Sequence, residues 1–225
     1  MTKNFQVRLG VSLILLAIAT IFLFTFDGIP FKIFFAVFAS VSLVELLSFF
    51  KRKITLLTII LALIEIALLT FASIFVFKSS VLEIILLIFG VCGYDTFAYL
   101  FGNLVGGQIF GAARPFPHIS KNKTWEGTIL GLITSFDLVG LILIIANANH
   151  YIFFAAGILA LIGDLFESFM KRRFSVKDSN EIVIKNPLFA KLELLVGGSE
   201  GHGGYLDRID SMAFTATMLL ILSIL

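Results

Sequence analysis

The sequence predicts an all-α fold, that of a polytopic helical membrane protein with about seven transmembrane helices. Hydrophobic residues make up 59% of the 225 residues, and 26 residues are Phe, whereas soluble domains are about 45–50% apolar. Several apolar stretches reach about 18 residues, the length that crosses the hydrocarbon of a bilayer. One long polar stretch covers residues 168–211. These observations argue against a soluble protein built around a single large core.

Short polar corners separate the predicted spans. The spans cover about 9–26, 31–50, 54–77, 81–104, 125–147, 151–170 and 205–225. Among the corners, Asp27-Gly28-Ile29-Pro30 has the composition of a tight turn, and Lys51-Arg52-Lys53 is fully charged. No internal repeat or linker interrupts the series, so we expect one integral-membrane domain over residues 1–225.

The basic residues predict an orientation. When the spans alternate across the membrane, 15 of the 17 Lys and Arg residues fall on the N-terminal side, and only Lys32 and Lys78 fall on the other. Cytoplasmic loops are enriched in Lys and Arg, so we expect the N-terminus and the polar stretch to be cytoplasmic. The hairpin of the fifth and sixth spans puts residues 105–124 and 171–204 on the same face.

Acidic residues within the spans divide into two groups. For Glu45, Glu65, Glu83 and Asp137 an interhelical hydrogen bond or a position near the interface is the favoured explanation, because a charge in hydrocarbon needs a partner. The other group, Asp95 and Asp164, lies toward the predicted cytoplasmic ends of spans.

The spacing of the acidic residues on two predicted helices places them on common faces. Asp164 and Glu167 share a face of the sixth span with Lys171, and Asp207 and Asp210 share one at the start of the last span. Asp178 is available from the loop between them. A few carboxylates, completed by water and substrate phosphates, usually hold Mg²⁺. The spacing therefore favours a metal site, with interfacial salt bridges as the alternative.

Two other polar segments invite interpretation. Gly201-His202-Gly203-Gly204 precedes the last span, where exposed backbone N–H groups and a helix N-terminus favour phosphate; an ordinary glycine-rich turn is the alternative. In residues 114–127, Ser120 or Thr124 is suited to cap the fifth span. Lys121 and Lys123 either bind phosphate or anchor at lipid headgroups, and spacing alone favours anchoring.

Five motifs follow one another between residues 93 and 211. They are Asp95-Thr96-x-Ala98-Tyr99-x-x-Gly102, Ser120-x-x-Lys123-Thr124-Trp125-Glu126-Gly127, Gly163-Asp164-Leu165-x-Glu167-Ser168, Ser168-x-Met170-Lys171-Arg172-x4-Lys177-Asp178-Ser179 and His202-Gly203-Gly204-x-x-Asp207-Arg208-Ile209-Asp210-Ser211. In this order they resemble the phosphatidate cytidylyltransferase (CDP-diacylglycerol synthase) family. The chain departs from the family pattern at Phe97, Asn180 and Glu200, and in a long insert between Asp178 and His202.

The resemblance implies an activity. CTP and phosphatidate would give CDP-diacylglycerol and pyrophosphate with Mg²⁺, and a monovalent cation beside the Mg²⁺ is left open. The expected setting is a bacterial cell membrane, with the site facing the cytoplasm, residues 1–80 as N-terminal spans and residues 81–225 as the catalytic part. The lipid bilayer is an expected partner, nucleic acid is not, and a homodimer is left open.

The resemblance also implies roles for individual residues. The metal ligands would be Asp164, Asp178, Asp207 and Asp210. The catalytic residues would be Asp210, Asp207, Lys177 and Asp178. The substrate-binding residues would be Lys171, Arg172, Arg208, His202, Gly203, Gly204, Lys123 and Asp95.

Two other functions compete with this one. A CTP-dependent polyprenol or phytol kinase would use the same acids but transfer the γ-phosphoryl group. A transporter or scaffold would use Glu65 and Glu83 as a relay. The chain has no HExxH zinc motif and no Gly-x4-Gly-Lys-Ser/Thr loop, and its residue types suit phosphoryl or nucleotidyl transfer, in which positioning and charge neutralisation dominate.

Overall fold

The computed structural model of the protein describes residues 26–50, 54–120, 122–175 and 206–225. The α-helices in these ranges are α1 (Ile29–Phe49), α2 (Leu56–Lys78), α3 (Val81–Leu104), α4 (Trp125–Ala146), α5 (Ala156–Phe174) and α6 (Leu206–Leu222). Short 3₁₀ turns at Phe26–Gly28 and Tyr151–Ala155 precede α1 and α5. The described ranges contain no strand, so the all-α prediction is confirmed.

Helix length and composition confirm a polytopic membrane fold. Five described segments are long and apolar enough to cross a membrane: Ile29–Phe49, Leu56–Lys78, Val81–Leu104, Trp125–Ala146 and Tyr151–Phe174. The last predicted span is also helical, but its apolar part, Ile209–Leu222, is shorter. The first predicted span, 9–26, lies almost wholly outside the described residues, so the count of seven stays a prediction.

Polar residues at the helix ends start and stop the helices. Thr55 and Ser80 cap α2 and α3, each accepting a backbone N–H from the first turn. Of the two candidate caps for α4, Thr124 is the cap, because its Oγ1 accepts the Gly127 N–H at 3.1 Å. Asn147 ends α4 in the left-handed conformation at φ 48°, which Asn tolerates better than most residues.

Contacts between helices that are far apart in the sequence show how the helices are arranged. The Lys32 Nζ at the start of α1 donates to the Phe77 carbonyl at the end of α2, at 3.1 Å, so these helices run antiparallel. The Thr217 hydroxyl on α6 donates to the Leu68 carbonyl on α2, at 2.8 Å. The rings of Phe49 and Phe174, at the ends of α1 and α5, lie 5.3 Å apart.

The helices therefore alternate in direction, and one end of the molecule collects the ends of α1, α3 and α5 and the starts of α2, α4 and α6. We call this the carboxylate end, for the acids described below. The loop between α3 and α4 and the last turn of α5 both lie there, as the sequence predicts for residues 105–124 and 171–204, of which 121 and 176–204 are outside the described residues.

Small residues allow α3 and α4 to pack closely. A Cβ on Gly127 would lie 2.5 Å from the Ala98 carbonyl oxygen, and one on Gly131 would lie 2.8 Å from the Ala98 Cβ. Neither contact is possible for a larger residue without separating the helices. Close packing of small residues is how helices associate where lipid removes the hydrophobic driving force.

The structure places the mid-span acids individually. Glu45 is buried and accepts the backbone N–H of Leu206 at 2.9 Å, which confirms the predicted interhelical hydrogen bond. Glu83 lies in the first turn of α3, where it accepts the Ser80 N–H at 2.8 Å; it is therefore at a helix end and not in the middle of a span. Glu65 is buried on α2, and Asp137 is exposed on α4.

Candidate active site

Three carboxylates meet near the carboxylate end. Asp164 and Glu167 on α5 and Asp210 on α6 each offer an oxygen, and these oxygens all lie within 4.8 Å of one another. Glu167 and Asp210 are buried, and the Asp164 side chain is 30% exposed. We call these three residues the acid cluster. Acids this close repel one another unless cations stand among them.

Backbone packing brings the two acid-bearing helices together. Gly163 directly precedes Asp164, and a Cβ there would lie 3.0 Å from the Ser211 Cα and 2.8 Å from the Phe214 Cβ. Ser211 directly follows Asp210, and its N–H donates to the Asp210 Oδ1 at 2.6 Å. Since α5 and α6 touch beside both aspartates, short side chains suffice to bridge the gap.

Two lysines flank the acid cluster. Lys123 Nζ forms an ion pair with Asp164 Oδ2, and Lys171 Nζ lies 2.7 Å from Glu167 Oε2, one turn away on α5. Lys123 also lies over the Tyr94 ring, 5.7 Å from its centroid. Each lysine is largely buried, with 18% and 16% of its side chain exposed. The two ammonium groups partly neutralise the negative charge of the acid cluster.

The charge of Lys123 is favoured by its surroundings. Burial lowers the pKa of Lys123, but the carboxylate of Asp164, with Tyr94 and Asp95, outweighs burial and raises the pKa above its usual value. The side chain therefore carries its positive charge throughout the physiological pH range.

Asp95 adds a third membrane helix to the site. It lies on α3 next to Tyr94 and interacts electrostatically with Lys123 and Asp164. Asp95 also interacts electrostatically with Asp210, as do Asp164 and Lys171. The charged groups of α3, α5 and α6, with Lys123 just before α4, thus form one electrostatic unit.

Glu126 explains how the start of α4 is positioned. It is 2% exposed, and its Oε1 accepts the N–H groups of Ile109 at 2.9 Å and Phe110 at 3.0 Å. The carboxylate therefore ties the loop after α3 to the first turn of α4. Together with the Thr124 cap, this fixes the backbone on which Lys123 stands. The sequence shows Glu126 inside a motif but gives no sign of this role.

The predicted site residues fall into three sets. The structure brings together Asp95, Lys123, Asp164, Lys171 and Asp210. Arg172 is exposed in the last turn of α5. The backbones of Asp207 and Arg208 lie in the first turn of α6, but their side chains are outside the described residues, as are Lys177, Asp178, His202, Gly203 and Gly204 entirely.

Two expectations change. Glu167 belongs to the acid cluster, although the sequence prediction left it out of the metal ligands; its spacing of three residues from Asp164 was the available signal. The interpretation of Lys123 as a headgroup anchor, favoured by spacing alone, is wrong, because its ammonium group pairs with Asp164. The resemblance put Lys123 and Asp95 in one cavity; the two side chains interact electrostatically, and their shared role in binding substrate stays a prediction.

Fold and site together define a class: a polytopic helical membrane protein with carboxylates and lysines gathered near one end, a combination suited to phosphate chemistry. The chain belongs to the cytidylyltransferase family, whose family model matches residues 54–184. It is thus a nucleotidyltransferase.

Individual relatives support this assignment. The chain is 34% identical over 187 residues to a phosphatidate cytidylyltransferase of Rickettsia felis, covering 76% of this chain and 70% of the relative. The identity to the Rickettsia prowazekii protein of the same name is 34% over 181 residues, covering 75% and 69%. For the Staphylococcus haemolyticus protein, again of that name, it is 40% over 136 residues, covering 58% and 44%.

Proposed function

We propose that this protein transfers the cytidylyl group of CTP to phosphatidate, giving CDP-diacylglycerol and pyrophosphate. The observation that carries the proposal is the acid cluster flanked by Lys123 and Lys171 inside a membrane helix bundle. The names of the relatives supply the substrates, and the residue chemistry is compatible with them.

The chemistry calls for charge neutralisation more than for a base. A phosphatidate oxygen, already anionic, forms a bond to the α-phosphorus of CTP, and the bond between the α-phosphorus and the bridging oxygen to the β-phosphate breaks. Pyrophosphate leaves with that electron pair. The barrier comes from bringing two anions together and from the charge that develops on the leaving group, so fixed positive charges lower it.

The donor set fits a magnesium ion. Asp164, Glu167 and Asp210 would hold it, with Asp178 and Asp207 as further predicted ligands, because Mg²⁺ binds a few carboxylates and fills its remaining positions with water and phosphate oxygens. When bound, Mg²⁺ would neutralise phosphate charge and stabilise the leaving pyrophosphate. A monovalent ion beside the Mg²⁺ would be favoured by Asp95, whose carboxyl group interacts electrostatically with Asp210.

In this proposal the described lysines, Lys123 and Lys171, bind the substrate phosphates and orient them. Lys123 approaches the cluster from the loop before α4, and Lys171 from the last turns of α5. Each can contact a phosphate oxygen while remaining close to a carboxylate. Arg172, exposed beside Lys171, is suited to a more distant phosphate group of the nucleotide.

The location of the acid cluster near one end of the spans also supports the proposal. The lipid tails of phosphatidate stay within the bilayer, whereas CTP arrives from water, so a site near one end of the spans can receive both. We propose that this end faces the cytoplasm, since basic residues concentrate there.

The test is a direct assay. Purified protein in detergent, given labelled CTP, phosphatidate and Mg²⁺, should form a lipid-soluble cytidine product and release pyrophosphate. Release of CDP with a labelled lipid phosphate would instead indicate a lipid kinase, and no turnover with either would contradict the proposal.

Asp210→Asn is the sharpest variant for this assay. The amide keeps the size of Asp210 but removes the negative charge, so turnover should fall by roughly 100-fold or more, the scale of one lost electrostatic contact to the transition state. The elution profile in detergent should not change. Near-normal activity would remove Asp210 from the metal ligands.

A further inference from the structure

Glu45 connects the first described helix to the helix that carries Asp210. Its side chain, 1% exposed on α1, accepts the backbone N–H of Leu206 through Oε2 at 2.9 Å. Leu206 is the first residue of α6 and is itself fully buried. The bond spans 161 positions of sequence, and Glu45 lies outside residues 54–184, the part matched by the family model.

This contact satisfies two groups that are costly alone. The first N–H groups of a helix have no partner within the helix, and an N–H that is left unsatisfied in a bilayer destabilises the fold. A carboxylate within the spans is also unfavourable without a partner. Because each group relieves the other, and an anion suits the positive end of a helix, the bond should be hard to break.

The consequence falls on Asp210, one turn further along α6. A helix rises about 1.5 Å and turns about 100° per residue, so a small shift at Leu206 changes both the height and the direction of the Asp210 carboxylate. The oxygens of the acid cluster come from two helices and lie within 4.8 Å of one another. A shift of α6 at its first residue, one turn from Asp210, would change these distances.

We propose that Glu45 is a positioning residue for the acid cluster, holding the first amide of α6 so that Asp210 faces Asp164 and Glu167. This inference rests on the proposed function, in which the cluster binds a divalent cation. Glu45 does not touch the substrates in this proposal; it acts through α6. The sequence predicts that the N-terminus of the last helix favours phosphate; in the structure its first N–H, that of Leu206, is bound to Glu45 instead.

A second anchor of α6 supplies a matched control. The Thr217 hydroxyl donates to the Leu68 carbonyl at 2.8 Å and is equally buried, but it lies almost two turns beyond Asp210. Removing this bond should lower stability without moving the first turn. The two anchors thus separate positioning from general packing.

The experiment measures metal binding apart from turnover. Binding of Mn²⁺ to purified protein in detergent is followed by the electron paramagnetic resonance signal of free Mn²⁺, with thermal melting recorded in parallel. Glu45→Leu should weaken Mn²⁺ binding roughly 10-fold, the scale of losing a group that orients a metal ligand. Glu45→Gln, which keeps an acceptor of the same reach, should stay close to the parent protein. Thr217→Val should melt earlier but bind Mn²⁺ normally.

Each result decides the matter. Parent-like Mn²⁺ binding by Glu45→Leu, or an equal loss in Thr217→Val, would overturn the positioning role while leaving the proposed function intact. If Glu45→Leu does not fold, Glu45→Asp carries the test, since its carboxylate is shorter by one methylene and must also weaken binding. Absence of Mn²⁺ binding in the parent protein would reject the metal site of the proposed function, and the role of Glu45 with it.

Discussion

At the scale of single residues, Asp164 is where two kinds of positive charge compete. Lys123 pairs with it in the structure, and the proposed divalent ion needs the same carboxylate. The raised pKa of Lys123 means that its charge stabilises the folded protein from neutral pH up to the unfolded value of about 10.4, and that this contribution is lost as the pH rises through the folded pKa. At neutral pH the lysine is therefore a permanent counter-ion.

Replacing Lys123 by Gln should make the protein more dependent on the metal. Without the ammonium group the acid cluster keeps more uncompensated negative charge, so folding weakens in chelator and Mg²⁺ restores it. The measurement is the rise in melting temperature on adding saturating Mg²⁺, which should be larger in Lys123→Gln than in the parent, by about 2–4 °C per kcal/mol of added stabilisation. An equal or smaller rise would mean that Lys123 and the metal do not share Asp164.

The role of Glu126 is testable through the loop that it holds. Glu126→Leu leaves the N–H groups of Ile109 and Phe110 without their acceptor, so the loop loses both of these bonds to the first turn of α4. Limited proteolysis of the purified protein should then cleave within residues 105–120 faster than in the parent. Glu126→Gln retains a carbonyl acceptor and should be cleaved at an intermediate rate. Unchanged cleavage in Glu126→Leu would show that the loop is held by other contacts.

At the scale of helices, the approach of α5 to α6 decides whether Asp164 and Asp210 can meet. Gly163→Ala puts a methyl group against Ser211 and Phe214, and overpacking of this kind costs about 1–3 kcal/mol. The helices should separate beside both aspartates, so cytidylyl transfer should fall and the Mg²⁺ concentration for half-maximal rate should rise.

Gly140→Ala is the matched control for this prediction. A Cβ on Gly140 would lie 3.4 Å from the Phe154 ring, which asks only a slight adjustment of that side chain. Its effect on the Mg²⁺ requirement should be negligible. If Gly163→Ala and Gly140→Ala behave alike, the close approach of α5 and α6 is not what sets the acid cluster.

The helices could be predicted from the sequence, because long apolar runs and the polar corners between them are local signals. Thr124 was one of two candidate caps, and Asp164 and Asp210 were both singled out by spacing. The bond from Glu45 to Leu206 was not predictable in its partner, since nothing local links residues so far apart along the chain. The role of Gly163 was not predictable either, because the close contact that it allows depends on which residues of α6 lie opposite.

At the scale of the whole molecule, the alternating directions of the helices collect most of the described basic residues at one end. The described basic side chains of the carboxylate end are Arg114, Lys123, Lys171, Arg172 and Arg173, whereas Lys32 and Lys78 lie at the opposite end. This arrangement is what the excess of Lys and Arg in cytoplasmic loops would produce. It also suits substrates, since an anionic nucleotide would approach the end with more positive charge.

Thiol labelling tests the orientation. The native Cys92, exposed on α3, is first changed to Ser so that an introduced thiol reacts alone. Asn149→Cys reports on the end opposite the carboxylate end, and Asn122→Cys on the carboxylate end; both positions are exposed in the structure. In intact cells, a maleimide that cannot cross the membrane should label Asn149→Cys strongly and Asn122→Cys only after the cells are opened. The reverse pattern would place the acid cluster outside the cytoplasm, where CTP is not supplied, and the proposed reaction would lose its nucleotide.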